Sequence, residues 1–188
     1  MMRTDREVVI EREGATATVW LNRPTAYNAL SETVLLQLGE AFEQLGREPD
    51  VRTVVLAGRG TAFCAGHDLR EMRAEPSEQY YRQLFELCTK VMTAIRSLPQ
   101  PVIARVQGIA TAAGCQLVAT CDLAVASEDA RFAVSGVNLG LFCSTPSVPL
   151  SRNVLRKQAF EMLVTGEFID AAQAREWGLV NRVVPEAQ

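Results

Sequence analysis

Twice in this chain a short apolar run gives way to a string of small residues and then to a helical pattern, and this arrangement restricts the fold more than any other feature. The first instance is Val-Val-Leu-Ala at 54–57, followed by Phe63-Cys64-Ala65-Gly66-His67-Asp68. The second is Val-Ile-Ala at 102–104, followed by the small residues of 108–114. Apolar runs without polar alternation belong in a sheet covered on both faces. Small side chains let a ligand approach the main chain closely. At a helix start the first N–H groups lack internal partners and carry the positive end of the helix dipole. Two such amides converging on one oxygen would stabilise negative charge developing there. The plainer reading is tight packing of helix on sheet, and composition alone does not separate the two.

The chain of 188 residues has the length of one domain, taken as residues 1–188. Its 48% hydrophobic and 22% charged residues suit a globular protein rather than a disordered one. A net charge of −3 without a basic cluster argues against nucleic-acid binding. Cysteines 64, 88, 115, 121 and 143 form no Cys-x-x-Cys pair and read as reduced, buried thiols. A single histidine leaves a zinc site short of ligands, so no metal is expected. The first residues, Met-Met-Arg-Thr-Asp-Arg-Glu, contain no apolar core and carry acids. No run approaches the roughly 20 apolar residues of a membrane span. The expectation is a soluble, cytoplasmic protein with no membrane partner.

Residues 8–10 and 15–21 read as a hairpin around Glu13-Gly14, and Asn22-Arg23-Pro24-Thr25 as a turn. Ser31 is a candidate N-cap for a helix over 32–45, with apolar positions at three-and-four spacing. The same spacing predicts a helix over 78–97, stopped by Pro99 and Pro101. Further strands are expected at 53–57, 102–104 and 122–126, and a helix at 115–119. Beyond Arg131 the pattern predicts two short helices over 154–164 and 171–177 and a last extended segment over 180–184. Alternating strand and helix give an α/β fold with a buried sheet.

Several of these segments resemble the enoyl-CoA hydratase/isomerase (crotonase) superfamily. Phe63-Cys64-Ala65-Gly66-His67-Asp68-Leu69 is similar to its Phe-Ser-Ala-Gly-x-Asp-Leu signature. Asn22-Arg23-Pro24 with Asn28-Ala29-Leu30 resembles its first segment contacting coenzyme A. Pro101 to Ala104, Gly108, Ala112 to Leu117 and Cys121-Asp122 resemble its central motif. Phe132, Gly140, Thr165-Gly166, Gly178-Leu179-Val180 and Val184-Pro185 match later landmarks in order. The resemblance implies a crotonase-like spiral of ββα units, usually assembled as homotrimers or hexamers. It further implies an acyl-CoA partner, with coenzyme A arriving as part of the substrate and no permanently bound cofactor. The oxyanion hole would be the backbone N–H groups of His67 and Ala113. Thr25, Ala26, Ala65, Asp68, Leu69 and Arg70 fall where family members hold the coenzyme. Family members continue beyond this point into a helical C-terminal region, so this chain reads as the core without it, leaving apolar surface that favours self-association.

The resemblance stops short at the catalytic carboxylates. Hydratases of the family use two glutamates, a pairing that lets one group act as base while the other delivers a proton. The corresponding positions here are Gln116 and Gly136, so ordinary hydration is expected to be weak or absent. A dienoyl-isomerase branch uses an aspartate at the position of Ser144, and that route also reads as closed. The Gly-His-Asp-Leu and Thr-Ala-Ala-Gly-Cys-Gln-Leu pattern resembles a narrower branch that lacks the glutamate pair. His67, Asn138, Cys143, Ser144 and Thr145 are the remaining polar candidates. The His67 imidazole reads either as a base or as a bystander to its own amide. Cys64, Cys115 and Cys143 read as nucleophiles or as packing, and Asp68 as catalytic or as a brace for its loop. Function is therefore expected to be thioester enolate stabilisation, or binding of a coenzyme A ester without chemistry.

Overall fold

The computed structural model describes residues 6–185. The chain opens with an antiparallel hairpin of β1 (Val8–Glu13) and β2 (Thr16–Leu21). Helix α1 (Glu32–Gly46) begins at Ser31, whose hydroxyl accepts from the Val34 N–H and satisfies one orphan donor of the first turn. Val34, Leu35, Leu38, Phe42 and Leu45 form its buried stripe. Truncating a fully buried ring such as Phe42 to alanine costs about 3–5 kcal/mol in general.

From β3 (Thr53–Gly58) onward the chain winds as a coil of repeated strand–strand–helix turns. Strand β3 lies parallel to β2, and β4 (Ala62–Cys64) leaves at an angle to begin a second sheet. Helices α2 (Leu69–Ala74) and α3 (Glu78–Ser97) lead back to β5 (Val102–Val106), parallel to β3. The next turn is β6 (Ile109–Thr111), α4 (Ala113–Thr120) and β7 (Leu123–Ser127). The last contains β8 (Arg131–Ala133), α5 (Ser144–Asn153), α6 (Arg156–Thr165), β9 (Ile169–Asp170), α7 (Ala171–Glu176) and β10 (Arg182–Val184). The large sheet has the order β1-β2-β3-β5-β7-β10 and the small one β4-β6-β8-β9. Each turn adds strands to both sheets, the last giving two to the small one, in the ββα spiral that the sequence resemblance implied.

In the small sheet Cys64 pairs with Ala110, and Ala110 with Phe132, so three parallel strands end side by side. The segments leaving those ends carry residues 65–68, 112–116 and 134–136. Ligands of parallel α/β sheets sit beyond the carboxyl ends of the strands.

One expectation changes, and several elements were not anticipated. The strand at 53–57 is not covered on both faces: Val54 and Leu56 are buried, but Val55 joins Ile103 and Val125 on an open groove. There Arg59 and Arg105 lie over the Trp20 ring, 5.3 and 4.8 Å from its centroid, and give that face a polar cover in place of helices. The small-residue stretch 108–114 holds β6, as 62–64 holds β4, and neither strand was anticipated. Three-residue strands are too short to show a period. Helix α5 was not anticipated; it holds Pro146 and Pro149, and Pro146 sits in the first turn, where no intrahelical N–H is required.

Leu139, Leu141, Phe142, Leu155, Phe160 and Phe168 are 42–74% exposed. All belong to the stretch from the end of β8 to the start of β9.

Candidate functional site

The loop that follows β4 is held on one edge by the segment 27–30. Ala65 N–H donates to the Tyr27 carbonyl at 3.0 Å, Leu30 N–H to the Gly66 carbonyl at 2.8 Å, and Asp68 N–H to the Leu30 carbonyl at 3.1 Å. Gly66 and Asp68 both bond Leu30, as in a parallel bridge centred on His67, so the His67 N–H faces the opposite edge. On that edge the Thr111 hydroxyl donates to the Ala65 carbonyl at 2.9 Å and fastens the loop to the end of β6.

Gly66, at φ +90°, occupies the contact between the two segments. A methyl group there would sit 3.0 Å from the Thr111 carbonyl oxygen and 3.3 Å from the Ala113 nitrogen. Gly114 is closer still, since a Cβ would fall 2.1 Å from the Cys64 carbonyl oxygen. Ala112 enters α4 with φ +49° and ψ −117°, a conformation unfavourable for any residue with a Cβ. Its own N–H donates to the Ala133 carbonyl at 2.9 Å. The turn delivers Ala113 as the first residue of α4, with no carbonyl one turn back to accept its N–H. Among the described residues, neither the His67 nor the Ala113 amide has a protein acceptor.

The His67 imidazole lies edge-on against Phe85 of α3, ring centroids 5.3 Å apart at 89°. Both ring nitrogens are buried without a hydrogen-bond partner among the described residues. Burial pushes the imidazole down to about 4; the nearby Leu30 main chain offsets part of this without ordinary hydrogen-bond geometry. The ring is neutral at physiological pH.

Asp68 caps α2 by accepting from the Arg70 N–H at 3.0 Å and pairs with the Arg23 guanidinium at 3.1 Å. Burial alone would raise its carboxyl, but the Arg70 amide and the Arg23 charge together hold it below the usual range. Arg23 also reaches Glu7 at 2.9 Å and the Ala29 carbonyl at 2.9 Å. Asp68 thus braces its loop, one of the two readings its sequence context offered; the part of Arg23 was not visible, its only signal being a cation beside proline in a turn with its partner 45 residues away. Thr25 and Ala26 lie in the 3-10 turn Pro24–Ala26, beside Tyr27, which receives the Ala65 amide. Leu69 and Arg70 are exposed at the start of α2.

Gln116, one turn into α4, is buried at 6% exposure, and its Oε1 has no partner among the described residues. It borders a cavity of about 440 Å³ between α3, α4 and α5, which Thr145 also lines. Gly136 is buried in the 3-10 turn Ser135–Leu139, and its N–H donates to Cys143 Sγ at 3.2 Å. A Cβ at 136 would meet the Leu141 carbonyl oxygen at 2.4 Å and Cys143 Sγ at 2.7 Å. No side chain fits there without movement of the backbone. Asn138 is occupied by the Gly166 carbonyl at 3.3 Å, and Ser144 is exposed at the start of α5. All five cysteines are buried and unpaired. Burial raises the Cys64, Cys88 and Cys115 thiols to about 12, far from the thiolate a nucleophile requires.

A family profile described as enoyl-CoA hydratase/isomerase matches residues 11–188. The chain is 48% identical over 178 residues to enoyl-CoA hydratase domain-containing protein 3, mitochondrial, of Xenopus laevis, covering 95% of this chain and 60% of that protein. Its backbone superposes on an enoyl-CoA hydratase of Mycobacterium smegmatis with TM-score 0.94 at 67% identity, covering 95% of this chain and 70% of that one. For human enoyl-CoA hydratase domain-containing protein 3 the TM-score is 0.93 at 46% identity, covering 97% and 72%. The chain spans 55–61% of the length of its vertebrate relatives. Those relatives, 45–49% identical, are each named mitochondrial, which overturns the cytoplasmic expectation. That expectation rested on the missing apolar core and early acids of the first residues and on the lack of a membrane-length apolar run, and residues 1–5 lie outside the described ones.

Proposed function

The chain belongs to the enoyl-CoA hydratase/isomerase family, in the branch of enoyl-CoA hydratase domain-containing protein 3, and from that premise we propose that it binds acyl-CoA thioesters through the His67 and Ala113 amides without the glutamate pair of a hydratase. The observation carrying this reading is the contact at Gly66. A Cβ at Gly66 would press within 3.0 Å of the Thr111 carbonyl and 3.3 Å of the Ala113 nitrogen, between two segments whose adjoining amides have no protein acceptor among the described residues. Bound between them, a thioester carbonyl would have its negative charge stabilised as the α-carbon loses a proton. Removing one such donor typically costs about 3–4 kcal/mol of transition-state stabilisation.

The coenzyme would lie along the ridge formed by Thr25, Ala26 and Ala65, and over Asp68, Leu69 and Arg70 at the start of α2. Proton transfer is the weak part of the apparatus. Gln116 does not titrate, Gly136 has no side chain, and the His67 ring is pinned and neutral. A positioned acid or base contributes roughly 10²–10⁴-fold, so hydration at ordinary enzyme rates is not expected. This same poverty of titrating groups favours a second reading, a binding or regulatory protein that presents the thioester without converting it.

Calorimetry with crotonyl-CoA, followed by the absorbance of its conjugated thioester, separates the readings. Binding without loss of absorbance supports the second, and slow turnover the first. Gly66→Val is expected to abolish binding, because its side chain would fill the space beside the Ala113 nitrogen. Unchanged affinity in that variant would refute the amide site.

A further inference from the structure

The cavity bordered by Gln116 has walls of two different chemistries. Met92, Val148 and Pro149 supply apolar surface, whereas Arg96 and Arg152 bring two guanidinium groups from α3 and α5. Among the described residues neither arginine forms an ion pair, and no aspartate or glutamate lines the space. Two uncompensated cations around one cavity stand out in a chain whose net charge is −3. The Thr93 and Thr145 hydroxyls add donors without protein partners among the described residues. At its inner end Gln116 is more than nine-tenths buried, with an unpartnered carboxamide oxygen. A buried polar group left unmatched costs stability unless a ligand or water completes it.

The cavity runs along α4. With a rise of about 1.5 Å per residue, Thr120 lies roughly 10 Å beyond Ala113, the helix position that presents the first free amide. Carbon–carbon bonds of about 1.5 Å, zigzagging, cover that span in roughly eight atoms. Resting on the thioester reading above, we propose that this cavity takes an acyl chain of medium length that ends in a second carboxylate. The methylenes lie against Met92, Val148 and Pro149, and the distal carboxylate pairs with Arg96 and Arg152, while the Gln116 oxygen, an acceptor, is met by water at the inner end. A guanidinium pair suits this role because each presents planar donors matched to a carboxylate and stays charged at any working pH.

The test compares suberyl-CoA with octanoyl-CoA, which differ only in the terminal carboxylate, and uses free coenzyme A as a third ligand for the full chain. Calorimetry at low ionic strength should show suberyl-CoA binding about tenfold more tightly than octanoyl-CoA. That ratio should shrink toward one in 0.5 M NaCl, roughly where the Debye length falls to a few ångströms. The double substitution Arg96→Gln with Arg152→Gln, at two exposed positions, should bring the ratio to about one at low salt. Equal affinities in the wild type, or a preference that persists in the double variant, would overturn the carboxylate assignment while leaving thioester binding intact. Failure of both acyl-CoAs to bind more tightly than free coenzyme A would instead sink the thioester reading beneath it.

Discussion

His67 is the only histidine in the chain, so its imidazole gives a single titrating resonance. A base whose folded pKa of about 4 lies below its unfolded value near 6.5 favours the folded state only while neutral. Its contribution is therefore complete above pH 6.5 and is lost as the pH falls toward 4, about 3 kcal/mol over the whole window. The imidazole carbon resonance is expected to titrate below pH 5, and a midpoint near 6.5 would show that the ring is not buried against Phe85. Thermal melts between pH 7 and 4.5 should fall less steeply for His67→Gln than for the wild type. Restoring the glutamates separates the two altered positions. Gln116→Glu replaces a buried amide by an acid of the same shape and is expected to fold. Gly136→Glu places its Cβ inside contact distance of the Leu141 carbonyl and Cys143 sulfur, and should destabilise by about 3 kcal/mol or more, as overpacking does. The double variant is accordingly expected to show no hydration of crotonyl-CoA; robust turnover would mean that the 135–141 turn yields easily.

Among the elements, α4 carries the most strain. Ala112 adopts a conformation that glycine takes freely, so Ala112→Gly should raise stability by about 1 kcal/mol in urea melts. A decrease would show that the Ala112 methyl, packed toward Gly66, matters more than its backbone. The long helices were legible from spacing: the α3 boundaries at 78 and 97 match the sequence reading, since twenty residues give the period room to declare itself. The small sheet was not legible, because β4, β6 and β8 have three residues each. The small-residue segments pointed to close backbone approach, and the contacts of Gly66 and Gly114 give that approach its distances. What spacing could not reveal was the occupancy of position 136. A glycine in a sequence does not say whether it leaves a gap or sits under a carbonyl. Arg23 and Asp68 were equally opaque as a pair, because long-range ion pairs leave no periodic trace.

For the molecule as a whole, the distribution of apolar surface is uneven. Leu155, at the cap of α6, and Phe160 within it are 74% and 63% exposed, close in sequence to exposed Leu139, Leu141 and Phe142. Apolar patches of this kind favour association. Sedimentation velocity across a hundredfold concentration range is expected to show mass increasing with concentration. Introducing Leu155→Glu and Phe160→Glu together should reduce it, and a monomer at every concentration would refute the expectation.

The coil of the chain also uncouples two lengths that a linear reading ties together. The segments bearing His67 and Ala113 are neighbours because β4 and β6 are adjacent strands, whatever lies between them in the sequence. Helices α2 and α3 occupy that interval, and α3 forms one wall of the cavity. Insertions or deletions there would redraw the wall while the amides keep their spacing. The same scaffold can thus be refitted for a longer, shorter or differently charged guest by editing one detour of the chain.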